Sequence, residues 1–255
     1  MSSKTLQQDN LQTEEVLENM KSASQYQFSG MPTTALGADK YTIATIVCDT
    51  SGSVVKFLPE LTKTLKTILE SCQKSPQSEN LLIRLVQFDD DVTELHGFRE
   101  LSQVDPNEYD TILKIGGYTA LYDAVFQSVE ITRDYAKVLA NQDFCANAIL
   151  FVITDGGDNI GRRSPNQIKD LILEVQREEC LESIQIVLIG IVNGSVEIKN
   201  ILQNFQNDAE ITKYLNIDNA NAKELAKLAD WISKSISSTS QALGSGSASQ
   251  LLQFP

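Results

Sequence analysis

Three nearly unbroken apolar runs constrain this chain most: residues 41–48 (YTIATIVC), 148–153 (AILFVI) and 184–192 (IQIVLIGIV). Each has strand length. None alternates apolar with polar residues, as a half-exposed strand would. Such runs belong to strands covered on both faces, as in a parallel sheet held between two layers of helices. Residues 81–88 (LLIRLVQF) read as a further strand, and residues 211–217 as the last one. Between the runs, apolar residues recur at helical spacing. Phe57, Leu58, Leu61, Leu65, Ile68 and Cys72 form one stripe, and Leu121, Ala124, Val125, Thr132, Tyr135 and Leu139 another. Ile168, Leu171, Ile172 and Val175 line a third helix, residues 196–205 suggest a short fourth, and Leu225, Leu228, Ala229, Ile232 and Ile236 line the last.

Local signals place the helix ends. Pro59 is tolerated only in a first turn, so the first helix starts near Lys56 to Leu58. Ser164-Pro165-Asn166-Gln167 fits a capping box with proline at the first helical position. Asn221 with Glu224 starts the final helix. Asp89, Asp90 and Asp91 read as a turn between two antiparallel strands, with calcium binding as the alternative for three adjacent carboxylates. The expected fold is therefore α/β: a doubly wound, mostly parallel six-stranded sheet with one antiparallel edge strand and helices on both faces.

The chemistry gathers at the carboxyl ends of these strands, where open α/β sheets bind ligands. Asp49-Thr50-Ser51-Gly52-Ser53 follows the first run and carries one carboxylate and two hydroxyls at alternate positions. Gly116-Gly117-Tyr118-Thr119-Ala120-Leu121 offers a glycine pair, a hydroxyl and a helix start. Thr154-Asp155-Gly156 follows the run at 148–153. Hard oxygen donors of low total charge suit Mg²⁺, which keeps several waters and takes few protein ligands. No G-x-G-x-x-G follows the first strand, and neither a P-loop nor the esterase elbow G-x-S-x-G occurs.

In this order and at these strand ends, the three stretches resemble the metal-ion-dependent adhesion site of the von Willebrand factor type A domain family, over roughly residues 40–237. The resemblance implies a Rossmann-like fold and a metal held by Asp49, Ser51, Ser53, Thr119 and Asp155, some of it through water. The ion would be Mg²⁺, with Mn²⁺ or Ca²⁺ as alternatives. It also implies a non-enzymatic protein-interaction module whose ion takes an Asp or Glu carboxylate from a partner. Members of the intracellular bacterial or phage-like type work beside a MoxR-like AAA+ ATPase, or in tellurite-resistance, stress or defence systems. Two other readings stand beside it. One is a structural subunit of a larger assembly docked by its terminal arms. The other is a Mg²⁺-dependent phosphate-ester hydrolase with Asp49 as nucleophile, although Ser51 occupies the place where such enzymes carry a second aspartate.

Composition adds exclusions. A net charge of −13 argues against a nucleic-acid backbone or an acidic membrane surface as partner. Four scattered cysteines, Cys48, Cys72, Cys145 and Cys180, show no zinc spacing and read as reduced core thiols of a cytoplasmic protein. No apolar stretch has signal-peptide or membrane-spanning character. The one histidine, His96, pairs with no nucleophile by motif and is given no catalytic role.

Residues 1–39 read as a partly disordered arm, with Leu11, Val16, Leu17 and Met20 able to line a short helix. Tyr26 and Phe28 would dock on the domain or on a partner, the domain being preferred. Residues 238–255 read as a flexible Ser/Gly-rich tail ending in the apolar tip Leu251, Leu252 and Phe254, either disordered or a docking motif. Trp231 is expected at the edge of the last helix. Asp123 is expected to bond within the site or to cap. Asp158 and Asn159 would contact a partner or turn the chain, and Arg162 and Arg163 read as solvated.

Overall fold

The computed structural model describes residues 28–246 and 251–255. The elements follow in chain order: β1 (Lys40–Asp49), α1 (Leu58–Gln73), β2 (Leu81–Phe88), β3 (Val92–Glu100), α2 (Leu121–Ala140), β4 (Cys145–Thr154), α3 (Pro165–Arg177), β5 (Ile184–Ile191), α4 (Val196–Asp208), β6 (Lys213–Ile217) and α5 (Ala222–Ser245). The sheet order is β3-β2-β1-β4-β5-β6. Every neighbouring pair is parallel except β2 and β3.

Period-two alternation splits the core between the two faces. On β1, Ile43 and Val47 join a cluster with α2, α3 and α4. Ala44, Ile46 and Cys48 join the opposite cluster with α1 and α5. The chain winds outward from β1 to β2 on one side, and from β4 to β5 and β6 on the other. β1 and β4 are adjacent, so their connections leave in opposite directions and open a crevice at their carboxyl ends. That crevice is where Asp49 and Asp155 emerge.

Several local signals act as read. Pro59 lies in the first turn of α1. Ser164 and Gln167 form a reciprocal capping box on α3. The Asn221 side chain accepts hydrogen bonds from the amides of Lys223 and Glu224 at the start of α5. Asp89 to Asp91 form the turn from β2 to β3, with Asp89 Oδ1 accepting from the Asp91 amide at 3.1 Å. His96 is buried: one ring nitrogen meets the Tyr109 hydroxyl and the other lies 2.9 Å from the Gly97 carbonyl oxygen.

The amino-terminal segment from Phe28 closes the β3 edge. The Met31 amide donates to Phe98 O and the Phe98 amide to Ser29 O, each at 3.0 Å. Ser29 also donates its amide and hydroxyl to Glu94 Oε1, whose other oxygen pairs with the buried guanidinium of Arg84 at 2.6 Å. Phe28 packs edge-on against Tyr135, so it docks on the domain. Tyr26 and the stripe from Leu11 to Met20 lie outside the described residues.

Three expectations are corrected. The tail expected to be flexible from residue 238 is helical to Ser245, where Thr239, Ser240, Ala242 and Leu243 are buried. Tertiary burial offsets the weak helix propensity of the serines, and Gly246 ends the helix in the left-handed region at φ +69°. Trp231 is not at an edge: it is buried against Phe151 and Phe254. Not every thiol is a core thiol, since Cys145 opens β4 and is exposed.

The apolar tip docks on the chain's own last layer. Leu252 O accepts from Lys213 Nζ at 2.8 Å and from Trp231 Nε1 at 3.2 Å, and the Phe254 ring meets Trp231 edge-on at 5.8 Å. Among the described residues no helix is long and apolar enough to cross a membrane. Trp231 is the chain's one tryptophan, so its emission reports this contact directly. Phe254→Ala is expected to shift that emission to the red and to cost about 1–3 kcal/mol in denaturant unfolding. Unchanged emission and midpoint would show that the tip does not seal Trp231.

Candidate metal-ion site

The β1–β4 register pairs Cys48 with Ile153, so Asp49 and Thr154 follow side by side at the strand ends. Asp49 is buried. Its Oδ1 accepts from the Ser51 amide at 2.8 Å, and its Oδ2 accepts from the Thr154 hydroxyl at 2.6 Å. The chain then turns outward through a 3₁₀ segment, Gly52–Lys56. Ser51 Oγ lies 3.3 Å from Ser53 Oγ, and Ser53 Oγ donates to Asp155 Oδ1 at 2.7 Å. Asp49, Ser51, Ser53 and Asp155 are thus one connected set of oxygens, from buried Asp49 to exposed Ser53.

Thr119 is brought to this set by backbone. The Gly116 amide donates to Thr50 O at 2.8 Å, and the Gly52 amide donates to Gly117 O at 3.1 Å, which stitches the two loops together. Thr119 is buried, and its hydroxyl makes no hydrogen bond among the described residues. It is not the helix cap, since Ala120 occupies the N-cap position of α2. The Thr119 amide donates to Asn159 Oδ1 and the Asn159 amide donates back to Thr119 O. All five residues therefore sit at the crevice, four joined through side chains and Thr119 through its loop.

The glycine pair has a steric reason. A Cβ on Gly116 would lie 1.7 Å from Asp89 Oδ2, and one on Gly117 would lie 2.5 Å from Asp90 Oδ2. Asp90 Oδ1 also accepts from the Tyr118 amide at 2.8 Å. The acidic turn is thus packed beneath the Gly116 loop as a support.

Asp158, Asn159 and Asp123 are fasteners. Asp158 accepts from the Tyr122 amide and from the Gly161 amide, capping α2 from another loop. Asp123 accepts from the amides of Arg162 and Arg163. Sequence spacing does not reveal these links; the available signal was Ala120, which has no side-chain oxygen to cap a helix. Arg163 is not merely solvated, because its guanidinium lies 4.0 Å from the centre of the Phe126 ring.

Burial sets the electrostatics. It pushes the Asp49 carboxyl above its ordinary value, hydrogen bonds from Ser51 and Thr154 offset this in part, and the charge of Asp155 adds to it. Burial also raises Asp155, with opposing contributions from the Ser53 hydrogen bond and the charge of Lys56. No basic side chain acts on Asp49 among the described residues. Among those residues no cluster of three or more His, Cys, Asp or Glu is placed to hold a metal, so any ion here depends on hydroxyls. Two carboxylates and three hydroxyls, with the buried Asp49 carboxyl lacking a basic partner, fit a small hard divalent ion.

No protein-family model matches the sequence, and no curated protein matches it. Solved structures do. Proximal thread matrix protein 1 from the mussel byssus aligns at 19% identity and TM-score 0.50, over 76% of this chain and 45% of that one. A second structure of that protein, with zinc in its metal-ion-dependent adhesion site motif, aligns at 18% identity and TM-score 0.51, over 78% of this chain and 46% of that one. The PilB minor pilin from Streptococcus sanguinis aligns at 17% identity and TM-score 0.54, over 83% and 64%. The pilus adhesin SpaC from Lactobacillus rhamnosus GG aligns at 13% identity and TM-score 0.53, over 78% and 31%. This chain spans less than two thirds of each of them. At these identities the likeness establishes a fold of the von Willebrand factor A type.

The raised carboxyls fix the sign of a pH effect. Folded Asp49 keeps its proton at pH values where the unfolded chain has released it. In the window from its ordinary value up to its raised one, stability therefore falls as pH rises. Asp49→Asn removes this penalty, and its amide can donate to Thr154 Oγ1, which lies 2.9 Å from the Gly156 carbonyl that can accept in turn. In chelator, Asp49→Asn is expected to unfold at higher denaturant than wild type at pH 8, with the gap closing toward pH 4. Identical pH profiles for the two proteins would refute the assignment.

Proposed function

We propose that this von Willebrand factor A-like domain is a binding module that holds a divalent cation and offers it to a carboxylate of another protein. One observation carries the reading: Asp49 is buried at the switch point of the sheet, next to Asp155 and with no basic side chain acting on it. Asp49 and Asp155 supply the charge, and Ser51, Ser53 and Thr119 supply neutral oxygens. With only two charged ligands the ion stays electrophilic, so a partner Asp or Glu can complete its shell. Mg²⁺ is the leading ion; zinc in the mussel protein's motif makes a comparison of ions worthwhile.

The geometry favours binding over phosphoryl transfer. Both oxygens of Asp49 are engaged by Ser51 and Thr154, and the residue is only 1% exposed, a poor placement for a nucleophile that must meet a phosphate. Docking through the carboxyl-terminal tip is also disfavoured, because Leu252 and Phe254 are seated on Lys213 and Trp231 of the same chain. Four free cysteines support a reducing, cytoplasmic setting. There, an AAA+ ATPase of the MoxR-like type would be a suitable carboxylate donor.

Calorimetric titration of metal-stripped protein with Mg²⁺, Mn²⁺ and Zn²⁺ tests the reading. One saturable site is expected in wild type. It should weaken at least about tenfold in Asp49→Ala and in Thr119→Ala, the loss of roughly 1.4 kcal/mol or more. Equal affinities in all three proteins, or no binding of any ion by wild type, would sink the proposal.

A further inference from the structure

Among the described residues six large apolar side chains are exposed: Val55, Ile115, Tyr118, Ile160, Val196 and Ile201. Isolated exposed apolar residues are ordinary on protein surfaces. Here all six share one end of the molecule. Val55 lies in the 3₁₀ segment after β1, and Ile115 and Tyr118 flank the glycine pair. Ile160 follows β4, Val196 opens α4 just after β5, and Ile201 lies one turn further on. The most exposed are Val196 at 70%, Tyr118 at 65% and Val55 at 56%. By contrast, the outward faces of α1, α2, α3 and α5 carry no exposed large apolar side chain.

Ile115 and Tyr118 lie on one side of the oxygen cluster, and Val196 and Ile201 on the other. Ile115 and Tyr118 are tied over β1 and β2: the Gly116 amide donates to Thr50 O, and the Tyr118 amide donates to Asp90 Oδ1. Val196 and Ile201 stand over β4 and β5, Ile201 Cγ2 lying 2.6 Å from where a Cβ on Gly157 would be, whereas Ile160 lines a pocket with Asp90, Ala120 and Asp123 at the start of α2. Asp49 and Asp155 emerge between these groups, at the ends of adjacent β1 and β4.

An apolar patch of this kind marks an interaction surface, and its charge pattern selects the occupant. Without a cation the centre is anionic, with Asp49 and Asp155 at its heart and Asp89 and Asp90 beside it, so a plain acidic segment is repelled. With a cation the centre takes one carboxylate, and the flanks take uncharged apolar groups. From β2 to β5 there are three strand spacings, about 14 Å. In extended backbone, the side chains two before and two after a given residue point the same way, about 13 Å apart.

We infer that the partner is a protein segment in extended conformation carrying an acidic residue with large apolar side chains two positions before and two positions after it. This rests on the metal-binding reading above. The acid meets the ion; the apolar pair meets the Tyr118 group on one side and the Val196 group on the other.

The test is selection from a random peptide display library on the Mg²⁺-loaded full chain, with elution by EDTA. Wild type is compared with a Tyr118→Ser and Val196→Ser double variant. Both positions are exposed, so the fold should be indifferent. The enriched peptides are expected to show the acidic residue with its apolar pair, and to bind the double variant at least tenfold more weakly while its Mg²⁺ affinity by calorimetry is unchanged. Enriched peptides without the apolar pair, peptides binding the double variant equally well, or no EDTA-eluted peptide from protein that does bind Mg²⁺ would each overturn the inference and leave the metal reading standing. Failure of wild type to bind Mg²⁺ in the same calorimeter would remove both. Dimerisation of wild type in ultracentrifugation, absent from the double variant, would assign the patch to a second copy and overturn the proposed partner.

Discussion

Asp49 is a carboxyl group held out of water at the end of a central strand, and the architecture around it answers what a buried carboxylate requires. Removing a charge from water costs several kcal/mol even after relaxation. The register of β1 on β4 supplies one answer, because it sets the Thr154 hydroxyl beside Asp49 Oδ2. The turn after β1 supplies another, because it folds the Ser51 amide back onto Oδ1. These donors are neutral, so the carboxyl stays above its ordinary value. A fold that needed Asp49 only for packing would gain from losing that charge. The arrangement fits the cation site proposed above.

The remaining loops hold this centre open. The glycine pair at 116 and 117 admits the carboxylates of the β2–β3 turn beneath it, while its own backbone bonds to Thr50 and Gly52. Across the crevice, Asp158 and Asn159 fasten the loop after β4 onto the start of α2. Four aspartates, Asp89, Asp90, Asp123 and Asp158, thus accept backbone hydrogen bonds around the site. They order loops by satisfying amides that would otherwise be left open, and they make the surrounding field negative. In the binding proposed here, the exposed apolar side chains on these loops would add contact area without charge in that negative field.

The β3 edge of the sheet is covered by the chain's own amino-terminal segment. Ser29 to Met31 pair with β3, where a Cβ on Gly97 would lie 1.9 Å from the Ser29 carbonyl oxygen. The carboxyl-terminal tip is bonded to Lys213 of β6 and to Trp231. Edge strands left open invite pairing with other chains.

Much of this was legible in the residues themselves. The doubly apolar runs marked buried parallel strands, and Pro59, Ser164 with Gln167, and Asn221 marked helix starts, because each signal is local and each physical cause lies within a few residues. The place of the candidate site was legible for the same reason: Asp49, Ser51, Ser53, Thr119 and Asp155 stand at or just past the ends of recognisable strands or before a helix. What stayed hidden depends on contacts between distant positions. The capping of α2 by Asp158, the bridge from Ser29 through Glu94 to Arg84, the helix continuing through the serines after residue 237, and the seat of Phe254 on Trp231 all arise from packing, which overrides local propensity. The sequence by itself therefore determined which segments must be buried and which oxygens lie at their ends. Only the tertiary structure decided that those oxygens converge without a basic partner on Asp49, because burial and the absence of counter-charge are properties of the surroundings and not of the residues.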